Sequence, residues 1–208
     1  MAQLAATAGV ERLVHISGIG ADARSPSPYI RSRGEGEAAV LRAFTSAILI
    51  RPSVMFGPDD AFLVPILSMM RRLPVFPLFG GGDTKLQPVY VEDVAKAITH
   101  LLRSPSPERI YELAGPRIYT YRSLLRMLGA SLGKEPILLP IPFILWKVIG
   151  SLGELLPAPP STRNQVELME RDNIASPTVA GFVNLQMAPQ SLEEVLSQIC
   201  KDRARATT

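Results

Sequence analysis

The sequence is poor in the residues that commonly hold metals or form disulfides. It contains one cysteine and two histidines among 208 residues. A single cysteine, Cys200, cannot form an internal disulfide and fits a reducing compartment. His15 is flanked by apolar neighbours, so we expect a buried, hydrogen-bonded strand residue, and His100 has no second ligand at metal-binding spacing. The sequence therefore predicts no metal site.

Long runs of one kind of residue are also missing. Lysine and arginine number 22 against 19 acidic residues, a net charge of +3, and no basic block is long enough to indicate nucleic-acid binding. The most apolar stretch, residues 140–150, is interrupted by Lys147 and is shorter than the about 20 residues that a bilayer span needs. We therefore predict a cytoplasmic protein with no transmembrane segment and no nucleic-acid partner.

A glycine-rich phosphate-binding loop is likewise missing. Such a loop needs a strand before its glycines and a helix directly after them. Gly18 and Gly20 follow a predicted strand, but the proline-containing segment 21–26 cannot continue as that helix. Gly80-Gly81-Gly82 is followed by residues 84–88, which suit a loop, so we predict a turn there. No segment of this sequence is predicted to grip a pyrophosphate.

The segments that are present indicate a parallel α/β sheet. Short apolar strands alternate with helices at close intervals, and Pro28 stands at the first position of the helix 28–44, where no amide donor is needed. The predicted strands of the sheet are 12–17, 47–50 and 110–114, with residues 89–91 returning to it after a proline-rich excursion at 57–88. A helix from about 92 to 102 precedes the strand at 110–114. Further helices are predicted from Thr120, from Phe143 to Leu156, and after the capping box that begins at Ser191.

Tyr29 and Arg33 form the most informative pair of polar residues. They lie four residues apart on the predicted helix, so their side chains share a face about one turn apart. A phenol has an ordinary pKa of about 10, so proton transfer at neutral pH needs a neighbouring cation and a cofactor. Arg33 would supply that cation. The same spacing also fits an ordinary exposed helix face, and the surrounding sequence decides between the two.

That surrounding sequence resembles the extended and atypical short-chain dehydrogenase/reductase superfamily. The shared motifs occur in the expected order: a strand that ends in Ser17, a glycine turn, Ser-Pro-Tyr29-x-x-x-Arg33, Arg51-Pro52, Phe56-Gly57-Pro58, and residues 87–95. Together with the run at 168–176, they look most similar to the branch of the 39 kDa accessory subunit of respiratory complex I, an NADH:ubiquinone oxidoreductase.

The resemblance implies a partial Rossmann-like fold, that is, a doubly wound parallel sheet, with a smaller, mostly helical C-terminal substrate domain. We place the C-terminal portion of an NAD(P)-binding domain in residues 1–116 and the substrate or docking domain in 117–208. Compared with the family, roughly the first hundred residues, including the pyrophosphate loop, are missing, which predicts a truncated form. The strand at 12–17 would then have an open edge, which predicts self-association or cover by another chain.

The family's functional residues carry over to this sequence one by one. Tyr29 matches the catalytic tyrosine, Arg33 stands where a lysine is usual, and Ser17 at the strand end is a candidate for the hydroxyl partner. The active-site serine or threonine of extended members aligns with Gly18, which has no hydroxyl. Pro52, Ser53 and Val54 form the turn that places backbone groups against the nicotinamide in the family; a proline-terminated strand is the alternative.

The resemblance therefore implies NAD or NADP as the cofactor of the full-length parent, with respiratory-complex subunits as partners at the inner face of a respiratory membrane. Two alternatives stay open. One is a non-catalytic assembly or stabilising subunit, which Gly18 and Arg33 favour. The other is a sugar-nucleotide epimerase or dehydratase, for which Arg117, Arg122 and Arg163 are candidate phosphate anchors.

Overall fold

The computed structural model describes residues 1–153 and 163–197. The chain forms two compact units. Unit 1 comprises Met1–Gly57, Gln87–Arg117 and Ile174–Val195, and unit 2 comprises Pro58–Leu86, Ile118–Asn173 and the residues from Leu196 onward. The predicted domain boundary at residue 116 stays a prediction.

Both units contain strands and helices. The strands are β1 (Val14–Ile16), β2 (Ile48–Pro52), β3 (Met55–Phe56), β4 (Val75–Phe79), β5 (Lys85–Leu86), β6 (Val89–Tyr90), β7 (Ile110–Leu113), β8 (Tyr119–Thr120) and β9 (Ile137–Ile141). The helices are α1 (Ala2–Thr7), α2 (Pro28–Ala43), α3 (Leu63–Arg72), α4 (Val91–Arg103), α5 (Tyr121–Ser131), α6 (Phe143–Gly153) and α7 (Arg163–Leu168), with a short 3-10 helix at Phe182–Leu185. Residues 192–197 are also helical.

Unit 1 is built on a three-stranded parallel sheet with the strand order β1-β2-β7. Most apolar side chains of β2 and β7 are buried, as expected where helices cover a parallel sheet. Ile50, Tyr111 and Leu113 of the sheet pack into one core cluster with Val94 and Leu101 of α4. The predicted α/β class with a parallel sheet is confirmed.

The prediction that residues 89–91 return to this sheet is wrong. Val89 and Tyr90 pair in parallel with Met55 and Phe56, as a separate two-stranded sheet. The amide of Ser53 still donates to Leu113 O at 2.9 Å, whereas Val54 O accepts from the Val89 amide at 3.0 Å. Because β7 ends at Leu113, the chain that continues from β2 has no neighbour there and changes partner.

Helix α2 begins where the sequence predicted it. Ser27 is the N-cap and its hydroxyl accepts from the Ile30 amide, while Pro28 occupies the first helical position. Gly34, in the middle of the helix, has a structural reason: a Cβ there would overlap the backbone of Asp22 and Ala23, which cross the helix at this point. The loop between β1 and α2 is therefore packed directly onto α2.

His15 is half-buried and not buried as we predicted. It lies in β1, which is the edge strand of the three-stranded sheet within the described residues, so one flank of β1 has no strand beside it. The neighbouring Ile16 is 51% exposed for the same reason. The sequence pattern indicated a strand correctly but did not say that the strand lies at an edge.

Unit 2 contains a parallel pair of strands that the sequence did not predict, β4 with β9. Helix α5 is capped by Thr120, whose hydroxyl accepts from the Ser123 amide at 3.1 Å, as the sequence predicted. Helix α6 is confirmed over Phe143–Gly153, and the rest of its predicted length, to Leu156, lies outside the described residues. None of the helices in the described ranges is long and apolar enough to cross a membrane.

Candidate functional site

The carboxyl ends of β1 and β2 are held side by side by backbone hydrogen bonds that continue beyond β1. The Ser17 amide donates to Ile50 O at 2.7 Å and the Ile19 amide donates to Pro52 O at 3.1 Å. In open parallel sheets, ligands bind at the carboxyl ends of the strands. Unit 1 therefore presents residues 17–19 and 52–54 together at the edge where a ligand is expected.

Tyr29 and Arg33 are brought together on the first turns of α2. An Arg33 Nη2 hydrogen is donated to the Tyr29 hydroxyl oxygen, and the Arg33 Cζ lies 4.6 Å from the centroid of the Tyr29 ring. Both side chains are half-buried. A hydrogen bond and a cation–π contact together hold the guanidinium in one orientation. The expected shared face is present, and the catalytic roles of the two residues stay predictions.

Gly18 gives the guanidinium of Arg33 its space. A Cβ on Gly18 would overlap the Arg33 Nη1 and lie 3.0 Å from Cζ. A serine or threonine at this position would therefore be incompatible with this orientation of Arg33. The resemblance implies a hydroxyl and a lysine at these two positions, whereas this chain has a glycine and an arginine whose guanidinium fills the space beside that glycine.

Ser17 is not part of this contact. Its Oγ is buried and has no hydrogen-bond partner in the described structure, so it is bonded neither to Tyr29 nor to Arg33. An unpaired buried hydroxyl costs free energy and calls for an explanation. Ser17 therefore keeps an unused donor and acceptor at the strand end, but the structure does not join it to the tyrosine.

The turn at Pro52, Ser53 and Val54 is tied into the protein by most of its polar groups. Pro52 O accepts from Ile19, the Ser53 amide donates to Leu113 O, and the Ser53 hydroxyl donates to Gln87 O at 2.6 Å. Pro52 and Ser53 are buried. A rigid turn results, and any contact with a ligand would use remaining lone pairs or the Val54 side chain. The cofactor-binding role of these three residues stays a prediction.

Gln87, in the motif at residues 87–95, connects several segments of unit 1, which the sequence pattern did not predict. Its side-chain amide donates to Gly115 O at 2.7 Å, and its side-chain oxygen accepts from the Ala175 amide at 3.0 Å. With the bond from Ser53, this residue connects the turn after β2 to two other segments of unit 1. No local pattern could show this, because its partners lie 28 and 88 residues away in the sequence.

A second group that was not predicted from the sequence is an ion-pair cluster of the partly buried Arg51 with the buried carboxylates of Glu37 and Glu112. Arg51 donates from Nε and Nη2 to the two carboxylate oxygens of Glu37, at 2.8 and 2.6 Å, and its Nη1 lies 3.8 Å from Glu112. Glu112 also accepts from the Ser176 amide at 2.7 Å. The hydrogen bond to Glu37 is the main reason that the pKa of Arg51 is raised. Since Glu37 is one turn beyond Arg33, this cluster fixes the face that α2 turns toward the sheet.

The three candidate phosphate anchors have other surroundings. Arg117 pairs with Glu193 at 3.0 Å on the surface of unit 1. Arg122 donates to Gly81 O at 2.7 Å in unit 2 and so holds the glycine turn at 80–82. The side chain of Arg163 lies outside those that the structure describes. The described parts of the chain also hold no group of three or more His, Cys, Asp or Glu residues that could bind a metal ion.

Solved structures of other proteins share the fold of this chain. A solved structure of UDP-glucose 4-epimerase from Thermotoga maritima, with UDP-glucose, superposes with a TM-score of 0.67 at 18% identity, covering 100% of this chain and 68% of that one. This likeness confirms the predicted Rossmann-like fold. It carries no conclusion about substrate at this level of identity.

Two relatives bear the name NADH dehydrogenase (ubiquinone) 1 alpha subcomplex subunit 9, mitochondrial. The protein of Arabidopsis thaliana is 32% identical over 196 residues, covering 89% of this chain and 49% of that protein. The protein of Rattus norvegicus is 33% identical over 195 residues, covering 93% and 52%. This chain thus spans about half the length of these relatives, and the resemblance to the complex I accessory subunit is confirmed.

The sequence profile described as "NAD dependent epimerase/dehydratase family" matches residues 1–114, which include β1, α2, β2 and the Tyr29–Arg33 pair. The match covers more than half of the chain and all of the elements that build the candidate site. On this evidence the chain belongs to the NAD dependent epimerase/dehydratase family.

Proposed function

We propose that this chain is part of an accessory subunit of an NADH:ubiquinone oxidoreductase, which holds a dinucleotide without turning it over. The subunit would lie at the inner face of a respiratory membrane as a peripheral protein. The observation that carries the proposal is the contact between Arg33 and Gly18 beside the Tyr29 hydroxyl.

Turnover in this family's chemistry needs a hydroxyl that orients the reacting oxygen and a tyrosine that exchanges a proton with it. In this chain Gly18 lacks the hydroxyl, and the Ser17 Oγ is not bonded to Tyr29. Arg33 both donates to the Tyr29 oxygen and stacks on its ring. These contacts suit a fixed cation that supports a bound ligand better than a group that must rearrange in each catalytic cycle.

The residues at the carboxyl ends of β1 and β2 suit the nicotinamide and ribose end of a dinucleotide. The Tyr29 hydroxyl, the Arg33 guanidinium and the unpaired Ser17 hydroxyl are all hydrogen-bonding groups near the expected ligand edge. A bound nicotinamide would supply hydride chemistry. The pyrophosphate loop of the family is not found in this sequence, so the affinity of this chain comes from one end of the cofactor only.

The partner and the location rest on the relatives. By name they are mitochondrial subunits of NADH dehydrogenase, and they match nearly the whole of this chain. A similar placement is proposed here for the protein to which this chain belongs. The alternative of a sugar-nucleotide epimerase has less support, because Arg117 and Arg122 are already engaged by Glu193 and by Gly81 O.

Calorimetric titration with NADH and NADPH tests the proposal on the chain as it stands. We expect weak binding, with a Kd of about 1 mM, and a further loss of about tenfold or more in Arg33→Ala, because a charge-assisted hydrogen bond contributes about 1.5–3 kcal/mol. Arg42→Ala is the matched control. Arg42 is an exposed arginine in the last turn of the same helix, so its removal should leave the affinity unchanged.

A second arm separates a holding role from turnover. Tyr29→Phe keeps the ring and removes the hydroxyl, so a protein that only holds the dinucleotide keeps the same NADH oxidation background with carbonyl substrates. Substrate-dependent NADH oxidation that disappears in Tyr29→Phe would show an active reductase and contradict the proposal. Absence of binding by wild type would remove the dinucleotide part and leave an assembly role.

A further inference from the structure

Unit 2 exposes one face of the β4–β9 pair. The register aligns Val75 with Ile137 and Pro77 with Leu139, so these side chains point to the same side of the two-stranded sheet. Val75 is 41% exposed, Ile137 64% and Leu139 52%. The opposite side is the buried one, because Phe76 and Leu78 are at most 3% exposed. The outer face of the pair is therefore aliphatic and uncovered within the described residues.

Helix α6 exposes a second aliphatic surface. Ile144, Leu145 and Val148 are 71%, 52% and 53% exposed, and their spacing places them on one face of the helix. The opposite face is anchored through Trp146, which is 8% exposed and donates from Nε1 to Leu78 O at 2.8 Å. The orientation of α6 is therefore set by its tryptophan, and its apolar residues point outward as a consequence.

These two surfaces join. The Trp146 ring lies 4.3 Å from the ring of Phe79, at the end of β4, and the Phe143 ring contacts Gly80. Helix α6 thus sits on the last residues of the β4–β9 pair and extends its exposed face. We call this surface the aliphatic face; its members are Val75, Ile137, Leu139, Ile144, Leu145 and Val148. A continuous exposed surface of this kind marks a docking site.

Cations lie at the margin of the aliphatic face. Arg71 and Arg72 end α3 and are exposed, four and three residues before Val75 respectively. Pro74 O accepts from the Ile137 amide at 3.0 Å, so this end of α3 adjoins the first residues of the aliphatic face. Lys134 donates to Arg71 O at 2.6 Å, and with Arg72, Pro74 and Glu135 it lines one cavity. Three cations and one carboxylate give this margin a positive charge.

We propose that the aliphatic face docks on the surface of an anionic lipid bilayer, with Arg71 and Arg72 against the headgroups. A protein interface would need about one hydrogen bond per 100–200 Å² and is enriched in aromatic side chains. The six members of the aliphatic face are aliphatic and carry no hydrogen-bonding side chain. A bilayer boundary needs none, and it attracts cations that flank an apolar helix face. The inference rests on the membrane location in the proposed function, but not on dinucleotide binding.

Vesicle co-sedimentation of the full chain tests this inference. We expect binding to vesicles of phosphatidylcholine with phosphatidylglycerol, weaker binding to phosphatidylcholine alone, and a decrease as salt is raised. The double variant Ile144→Glu/Val148→Glu should lose more than about tenfold in partition coefficient, because charged side chains are costly in the apolar layer. Arg71→Gln and Arg72→Gln should each lose about fivefold on the phosphatidylglycerol vesicles.

The control is Val183→Glu, which places one new glutamate, against two in the double variant, at a residue of unit 1 that is 87% exposed. It should bind vesicles like wild type. The replaced residues are exposed, so the variants should keep the wild-type circular dichroism, and the salt dependence of wild type is a readout that needs no variant. The inference is overturned if the double variant has the partition coefficient of wild type. It is also overturned if wild type binds vesicles equally well with and without phosphatidylglycerol.

A dimer in light scattering that the double variant abolishes, without vesicle binding by wild type, would assign the aliphatic face to a second copy and also overturn the inference. NADH titration of the double variant separates the two proposals. Unchanged NADH affinity alongside lost vesicle binding would show that the membrane surface and the dinucleotide site act separately. If neither ligand binds wild type, the docking inference fails on the vesicle result alone.

Discussion

Removing the Arg51 guanidinium should destabilise unit 1 more than removing any exposed charge of α2. Its guanidinium makes a bidentate pair with Glu37 and lies 3.8 Å from Glu112. The side chains of the two carboxylates are only 7% and 8% exposed. The variant Arg51→Met keeps most of the aliphatic volume and leaves both carboxylates buried without their cation. Removing one partner of a buried ion pair lowers the free energy of unfolding by about 3–5 kcal/mol.

The assay is urea unfolding, monitored by far-ultraviolet circular dichroism. With a slope of about 2 kcal/mol per molar, a loss of about 3–5 kcal/mol lowers the midpoint by about 1.5–2.5 M urea. Glu35→Gln is the control: Glu35 belongs to an exposed i,i+4 pair with Arg31, with oxygen and nitrogen 3.9 Å apart, and should change the free energy of unfolding by less than about 1 kcal/mol.

The double variant Arg51→Met/Glu37→Met tests the coupling. One buried carboxylate is then removed with its cation, so the loss should be smaller than the sum of the two single losses by about 0.5–3 kcal/mol. Hydrogen exchange should also become faster in the α2 amides around Tyr29 and Arg33, since the cluster holds that helix. The cluster does not hold α2 if Arg51→Met lowers the free energy of unfolding no more than Glu35→Gln does. The same conclusion follows if the losses of Arg51→Met and Glu37→Met simply add in the double variant.

Two further predictions concern the same helix and the last capping box. Gly34→Ala should destabilise the protein by about 1–3 kcal/mol, because its Cβ would overlap the Ala23 backbone. Gly36→Ala has nothing within 4 Å of its Cβ and should stabilise the protein by about 0.5–1 kcal/mol. If urea unfolding gives both variants a change of the same sign in the free energy of unfolding, the packing of the loop on α2 is contradicted. The Ser191 amide donates a hydrogen bond to the Glu194 carboxylate, which lowers the pKa of Glu194 below its ordinary 4.5. The contribution of this hydrogen bond to stability is therefore present above the ordinary pKa and is lost as the pH falls through the lower pKa of the folded state. The difference in melting temperature between wild type and Glu194→Gln should therefore shrink on acidification, and a constant difference down to low pH would contradict the assignment.

Interactions within one helical turn could be predicted from the sequence. Three caps have partners within three residues: the hydroxyls of Ser27, Thr120 and Ser191 accept from the amides of Ile30, Ser123 and Glu194. The Tyr29–Arg33 contact belongs to the same class, because residues four apart on a helix share a face whatever the rest of the protein does. These features depend on backbone geometry that the local sequence already specifies.

The tertiary structure decided which distant segments meet. The sequence indicated that residues 89–90 are extended, but their pairing with β3 follows from where β7 ends. The partner of Glu37 lies 14 residues along the chain, and the space for the Arg33 guanidinium exists because Gly18 lies across from α2. Spacing in the sequence carries no information about such contacts, because they depend on how strands and loops are arranged in space. The sequence by itself therefore determined the family and the tyrosine helix, and the tertiary structure decided that the Arg33 guanidinium fills the space beside Gly18.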